Sequence, residues 1–157
     1  MEDLSIRRAG EQDIPALDRL LYQVHRVHSD ARPDLFVPGA KKYTDAELRA
    51  ILAGDSTPVF VAERDGAVLG YAFCVLQDPP HGNMTPVRTL YLDDLCVDAH
   101  ARGAGVGTAL YRFVLDYARA CGCHNVTLNV WAGNPGAQRF YEALGMHVQK
   151  TCMEQIL

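Results

Sequence analysis

Three glycines in five residues, Gly103, Gly105 and Gly107, stand where an apolar-striped helix must begin, and they constrain this chain more than any other feature. Thr89 to Cys121 reads as a strand, a short Gly-rich turn and a long amphipathic helix. Val106, Ala109, Leu110, Phe113, Val114, Tyr117 and Cys121 recur at helical spacing and form one stripe. That stripe anchors the helix and so fixes where its first turn points. The first N–H groups of a helix have no partner within it, and the helix dipole adds partial positive charge there. Glycines leave those groups without side-chain cover, so the turn from Arg102 to Gly107 is read as holding the pyrophosphate of a coenzyme.

The rest of the chain supplies a scaffold. Leu4 to Arg8 is a short strand, and Asp13 or Glu11 opens a helix whose Ile14, Leu17, Leu20, Leu21 and Val24 share a face. Two prolines and a glycine make Ser29 to Lys42 a loop, with Phe36 and Val37 apolar inside it. Thr44 and Glu47 form a capping box before a short helix. Asp65-Gly66 joins two β-rich runs, Pro58 to Ala62 and Ala67 to Leu76, as a hairpin. After a Pro-rich loop that holds His81 come the Thr89 to Val97 strand and the glycine motif. Asn125 to Trp131 then reads as a strand, and Asn134-Pro135 starts a helix that Gly145 stops. Met146 to Gln149 and Thr151 to Ile156 read as final strands. Early hairpins followed by β-α-β units predict one α/β (α+β) domain over residues 1–157, with a mixed, mostly antiparallel sheet carrying helices on both faces.

Composition narrows the partners. The net charge of −4 speaks against nucleic acid, which calls for a basic surface. No apolar run approaches the roughly 20 residues that span a bilayer, and the first residues lack a signal-peptide core, so a cytoplasmic protein without membrane association is expected. The odd count of five cysteines argues against a disulfide framework, and Cys121-Gly122-Cys123 reads as a helix end, so no metal is expected.

Within Thr89 to Val97 the apolar alternation slips. It begins as Leu90 and Leu92 and resumes as Leu95 and Val97, one residue out of phase across Asp93-Asp94. A strand absorbs that by a β-bulge or by switching its buried face, and where both faces are buried the phase carries little meaning. A bulge is the reading adopted. It frees backbone N–H groups for a ligand, here those from Leu95 to Val97.

Competing Gly-rich turns are readily separated. No Lys follows Gly107, which excludes a P-loop, and G-x-G-x-G misplaces the third glycine of a dinucleotide fingerprint. Arg102, Gly105 and Gly107 instead satisfy [RQ]-x-x-G-x-[GA]. With Asn134, Phe140-Tyr141 and Leu144-Gly145-Met146 downstream, the chain resembles the GCN5-related N-acetyltransferase (GNAT) superfamily, strongest from Leu90 to Met146. Met146 replaces the usual Phe, a volume-tolerant change. The Asp-Asp-Leu segment is also similar to the diamine/polyamine branch.

The resemblance implies the GNAT fold, with six or seven strands, and acetyl-CoA as co-substrate. Its pyrophosphate would lie on Arg102, Gly103, Ala104, Gly105, Val106, Gly107 and Thr108. The pantetheine arm would pair with Leu95, Cys96 and Val97, and Asn134 would add a contact. Direct attack by a primary amine needs a base, for which the resemblance points to Asp93, and an acid, for which it points to Tyr141. Asp94, Phe36 and His81 are the acceptor-side candidates. The acidic pair favours a small cationic amine. A protein or peptide amine, or a silent acyl-CoA-binding regulatory module, are the alternatives, and a homodimer is compatible with this reading.

Overall fold

The computed structural model describes residues 3–157. β1 (Ser5–Arg8), α1 (Ile14–Ala31) and α2 (Asp45–Ala53) precede the meander β2 (Val59–Arg64), β3 (Ala67–Gln77) and β4 (Thr89–Val97). Then come α3 (Val106–Ala120), β5 (Asn125–Thr127) and α4 (Pro135–Ala143). The sheet order is β1-β2-β3-β4-β5, with every pair antiparallel except the parallel β4–β5.

Each helix follows from local chemistry. Pro15 falls in the first turn of α1, where the missing N–H costs nothing. Thr44 caps α2 by accepting from Glu47 N at 3.1 Å, and Asn134 caps α4 by accepting from Ala137 N at 3.2 Å. Asp65 and Gly66 both take positive φ, 52° and 77°, the turn whose twist suits a two-residue hairpin.

Helices cover both faces of the sheet. Leu17, Leu20, Leu21 and Leu48 of α1 and α2 bury against Val61, Tyr71 and Phe73. On the other face Val106, Leu110 and Val114 of α3 bury against Phe60, Ala72, Leu90 and Leu92. Each such side chain contributes about 1.5–3 kcal/mol by leaving water. The close approach of α3 depends on Gly70, because a Cβ there would stand 2.7 Å from the Cys96 carbonyl oxygen and 3.1 Å from Leu110. Arg7 ties β1 to its neighbours, giving Asp13 bonds of 2.8 and 2.9 Å and Glu63 bonds of 3.0 and 2.6 Å.

Three expectations need correction. The sheet has five strands among the described residues, not six or seven. β5 ends at Thr127 rather than at Trp131, because β4 offers it register partners only from Thr89 to Tyr91. Residues 146–149 and 151–156 form no strand, since no strand of this chain lies paired beside them. No helix among the described residues is long and apolar enough to cross a membrane.

Candidate active site

The slip in β4 is a bulge. Phe73 of β3 stands opposite Asp94 and Cys74 stands opposite Leu92, so Asp93 is the extra residue. Leu90 and Leu92 before it, and Leu95 and Val97 after it, all pack on the α3 face. Asp93, Asp94 and Cys96 therefore share the α1–α2 face, where Tyr43 and Tyr71 meet the two carboxylates. A bulge bends its strand and raises the local twist. β4 and β5 accordingly stay paired from Thr89 to Tyr91 and part beyond. The β4 edge from Leu92 to Val97 thus faces an opening, and Leu95, Cys96 and Val97 lie along it, still paired to β3 on their other side.

The two carboxylates have different surroundings. Asp93 receives Lys42 Nζ at 2.9 Å on both oxygens and the Tyr43 hydroxyl at 2.5 Å. Its charge is met by a cation from the α1–α2 loop. Asp94 accepts the Tyr71 hydroxyl at 2.7 Å. Burial pushes the Asp94 carboxyl above its ordinary value, against the opposing pull of Tyr71 and Lys42. Asp94 in turn acts on Tyr141, whose hydroxyl is pushed up first by burial and then by this charge.

At the end of β4 the chain turns through Gly103 and Gly105, both left-handed with φ of 81° and 80°. Gly105 is the N-cap of α3, and no side chain caps that helix. The first N–H of α3 to find a helical carbonyl is Ala109, at 3.0 Å to Gly105 O. The N–H groups from Val106 to Thr108 have no partner among the described residues, and Arg102 makes no ion pair with a described residue. Ala104 is exposed beside them. An uncapped helix start flanked by an unpaired guanidinium fits a pyrophosphate. Gly107 serves a different end: a Cβ there would meet the Phe140 ring at 3.3 Å. That contact brings α4 against the glycine turn. Tyr141, next to Phe140, packs on Tyr111 with ring centroids 5.7 Å apart, and its hydroxyl bonds to no described residue. Asn134 starts the same helix at an exposed position.

Phe36 lies in a third cluster. It stacks on His28 at 5.2 Å and meets Trp131 edge-on at 5.5 Å, while His25 Nε2 lies 2.7 Å from Val37 O. Burial pulls the His28 imidazole down, aided by His25 and Lys42. His81 joins none of these groups. It sits in the exposed β3–β4 loop among Pro79, Pro80, Met84 and Pro86. The sequence reading passed over Lys42, Tyr43 and Tyr71. Tyr71 carries no local mark, since it reads as one more core aromatic of β3. Lys42 lies 51 residues from its partner.

This arrangement is that of an acyl-transfer fold, and comparison with known proteins agrees. The profile of the Acetyltransferase (GNAT) family matches residues 22–146. The chain belongs to that family. A crystal structure of a single-site mutant of BH1408 protein from Bacillus halodurans superposes with a TM-score of 0.93 at 32% identity, covering 98% of this chain and 99% of that one. Glucosamine 6-phosphate N-acetyltransferase of Trypanosoma brucei brucei is 28% identical over 151 residues, 96% of this chain and 94% of its own. The N-acetyltransferase MJ1207 of Methanocaldococcus jannaschii is 27% identical over 141 residues. The match takes in 90% of this chain but only 59% of MJ1207.

Proposed function

We propose that this chain moves an acetyl group from acetyl-CoA to a primary amine by direct attack, with both substrates bound together. The observation that carries this is the Asp93 bulge, beyond which β4 runs on toward the glycine turn unpaired to β5. Arg102 to Thr108 hold the pyrophosphate, Asn134 contacts the same ligand, and the β4 edge from Leu95 to Val97 aligns the pantetheine arm and the thioester carbonyl. Acetyl-CoA supplies the activated acyl group.

A lysine-like amine of pKa about 10.4 is protonated at pH 7, and freeing it costs about 4–5 kcal/mol at roughly 1.36 kcal/mol per unit. A base works best with a pKa near the working pH. Asp94, raised by burial, suits that need, whereas both oxygens of Asp93 are already engaged by Lys42 and one also by Tyr43. Asp94 is therefore assigned the base, oriented by Tyr71. Asp93 sets the bulge and the mouth of the acceptor site. Tyr141 keeps its proton through neutral pH and donates it as a hydrogen bond to the departing sulfur. Its raised pKa makes complete proton transfer uphill, so stabilising charge on sulfur is its main part.

Lys42 answers the charge of Asp93, so the acidic pair no longer argues for a small cationic amine. Support for a small-molecule amine comes instead from the relative named for glucosamine 6-phosphate, aligned over nearly the whole chain. Phe36, with His28 and Trp131, walls the acceptor side in this reading. A panel of amino sugars and their phosphates, diamines, aminoglycosides and lysyl peptides, assayed for CoA release and N-acetylated product, tests it. Turnover of at least one primary amine is expected. Release of CoA with none of them, beside tight acetyl-CoA binding, would favour a silent acyl-CoA-binding module.

A further inference from the structure

We infer that Arg19 of α1 is a positioning residue for the coenzyme turn, acting through Asp98 to fix the upstream end of the segment from Arg102 to Thr108. The turn does not hold its own shape by packing. Arg102, Gly103, Ala104 and Gly105 are all exposed, and a Cβ on Gly103 or Gly105 would meet nothing within 4 Å among the described residues. Its conformation is therefore set by its two ends. At the downstream end α3 is anchored by the buried Val106, Leu110 and Val114. The upstream end has no such stripe and depends on polar contacts.

Asp98 supplies those contacts. It follows directly on β4 and is buried, with 7% of its surface exposed. Its N–H donates to Leu69 O of β3 at 2.8 Å. One carboxylate oxygen accepts from His100 N at 3.0 Å, capping the 3-10 turn Ala99–Ala101 that leads into Arg102. The other accepts from the Arg19 guanidinium. Arg19 also donates to Val68 O at 3.1 Å, and Gln23, one turn further along α1, accepts from Ala99 N at 3.1 Å. α1 and β3 thus grip the chain just before the glycines. The His100 N–H first, and Arg19 after it, hold the Asp98 carboxyl below its ordinary value, so the grip is ionic at neutral pH.

Two features set this pair apart from a contact that only stabilises the fold. The Arg19 side chain is 50% exposed, so shortening it opens no cavity, and ion pairs open to solvent contribute little to stability. Asp98 stands four residues before Arg102, on the approach to an anion site. Without its cation, that carboxylate would repel a pyrophosphate and be free to let the turn drift. Small displacements of binding groups are costly even when their cause lies away from the chemistry. The inference rests on the reading of Arg102 to Thr108 as the coenzyme turn and is independent of which amine is acetylated.

Calorimetric titration of acetyl-CoA into the whole protein tests it, with thermal melts and steady-state kinetics on the same samples. Arg19→Met should weaken acetyl-CoA binding about tenfold, lower the melting temperature by no more than a few degrees, and leave kcat at saturating acetyl-CoA within about threefold of wild type. Arg19→Lys keeps a cation for Asp98 and should restore affinity to within about threefold. Arg49→Met removes an equally exposed cation paired with Glu11 and should leave affinity unchanged, which separates position from net charge. Wild-type affinity in Arg19→Met would overturn the inference while leaving the coenzyme reading intact. An equal loss in Arg49→Met would overturn it too, since any lost cation would then suffice. A wild-type protein that binds no acetyl-CoA would sink the coenzyme reading itself, and this inference with it.

Discussion

Asp93 and Asp94 are consecutive residues of one β-strand, yet both turn to the face that carries α1 and α2. An undistorted strand would send them to opposite faces. The extra residue at the bulge brings them together, and their partners then set them apart. Lys42 and Tyr43 claim Asp93, while Asp94 takes the Tyr71 hydroxyl. Environment can give two neighbouring carboxylates different roles, which is the ground for proposing Asp94 rather than Asp93 as the base.

Removing the charge of Asp94 should stabilise the protein. Its folded pKa lies above the ordinary 3.8 because of burial. The folded state therefore favours the protonated acid, an advantage complete below pH 3.8 and lost as pH rises through the folded value. At pH 7 the ionised group is a standing cost. Asp94→Asn keeps an acceptor for Tyr71 and should melt a few degrees higher at pH 7, with the gain shrinking toward pH 4. Thermal melts between pH 4 and pH 8 check this.

The opposite sign holds at Asp13. The Arg7 guanidinium, joined to it by two hydrogen bonds, holds the Asp13 carboxyl below its usual value, and the Gly10 N–H adds to this. Stability from this group is present above about pH 4 and lost as pH falls through the lowered folded value. Asp13→Asn should cost about 1.5–3 kcal/mol at pH 7, the range for a hydrogen bond to a charged group. Its melting temperature should also fall less than that of the wild type on acidification below pH 4.

Tyr141→Phe should lower kcat about 100-fold, within the usual range for a positioned proton donor. The ring keeps its packing on Tyr111 and Phe140, so acetyl-CoA affinity and melting temperature should hold. Steady-state kinetics with calorimetric titration of acetyl-CoA separate the two effects. Unchanged kcat would remove Tyr141 from the chemistry.

Two glycines should fail in different ways. Gly105 sits at φ 80°, where an alanine costs about 1–2 kcal/mol of local strain. Gly105→Ala should weaken acetyl-CoA binding about tenfold or more by distorting the turn. Gly70→Ala would drive a methyl group against the Cys96 carbonyl and should destabilise the fold by about 1–3 kcal/mol. Acetyl-CoA titrations beside denaturant melts distinguish the two.

What the sequence shows of this molecule divides along physical lines. The slip from Leu90 and Leu92 to Leu95 and Val97 locates the bulge to the Asp93-Asp94 pair, because period and burial are local properties. The caps at Thr44 and Asn134, the Asp65-Gly66 turn and the left-handed glycines are local too, and all are found where the residues indicate. The pairing of Lys42 with Asp93 and of Tyr71 with Asp94 is not local. It depends on how a loop and a neighbouring strand fall across the sheet, so nothing in Asp93-Asp94 tells which acid receives the cation. The final strands fail for a related reason. Residues 146–157 have strand-like composition, but composition cannot supply the neighbour that a strand needs.

The most direct test of the account compares Asp93→Asn with Asp94→Asn, using CoA release with the best amine of the panel across a pH series. Asp94→Asn should lower kcat/KM at least about 100-fold and abolish the acidic limb of its pH profile. Asp93→Asn should stay within about tenfold of wild type and keep that limb. If Asp93→Asn is the inactive variant and Asp94→Asn retains both its rate and its pH dependence, the assignment of the base is contradicted.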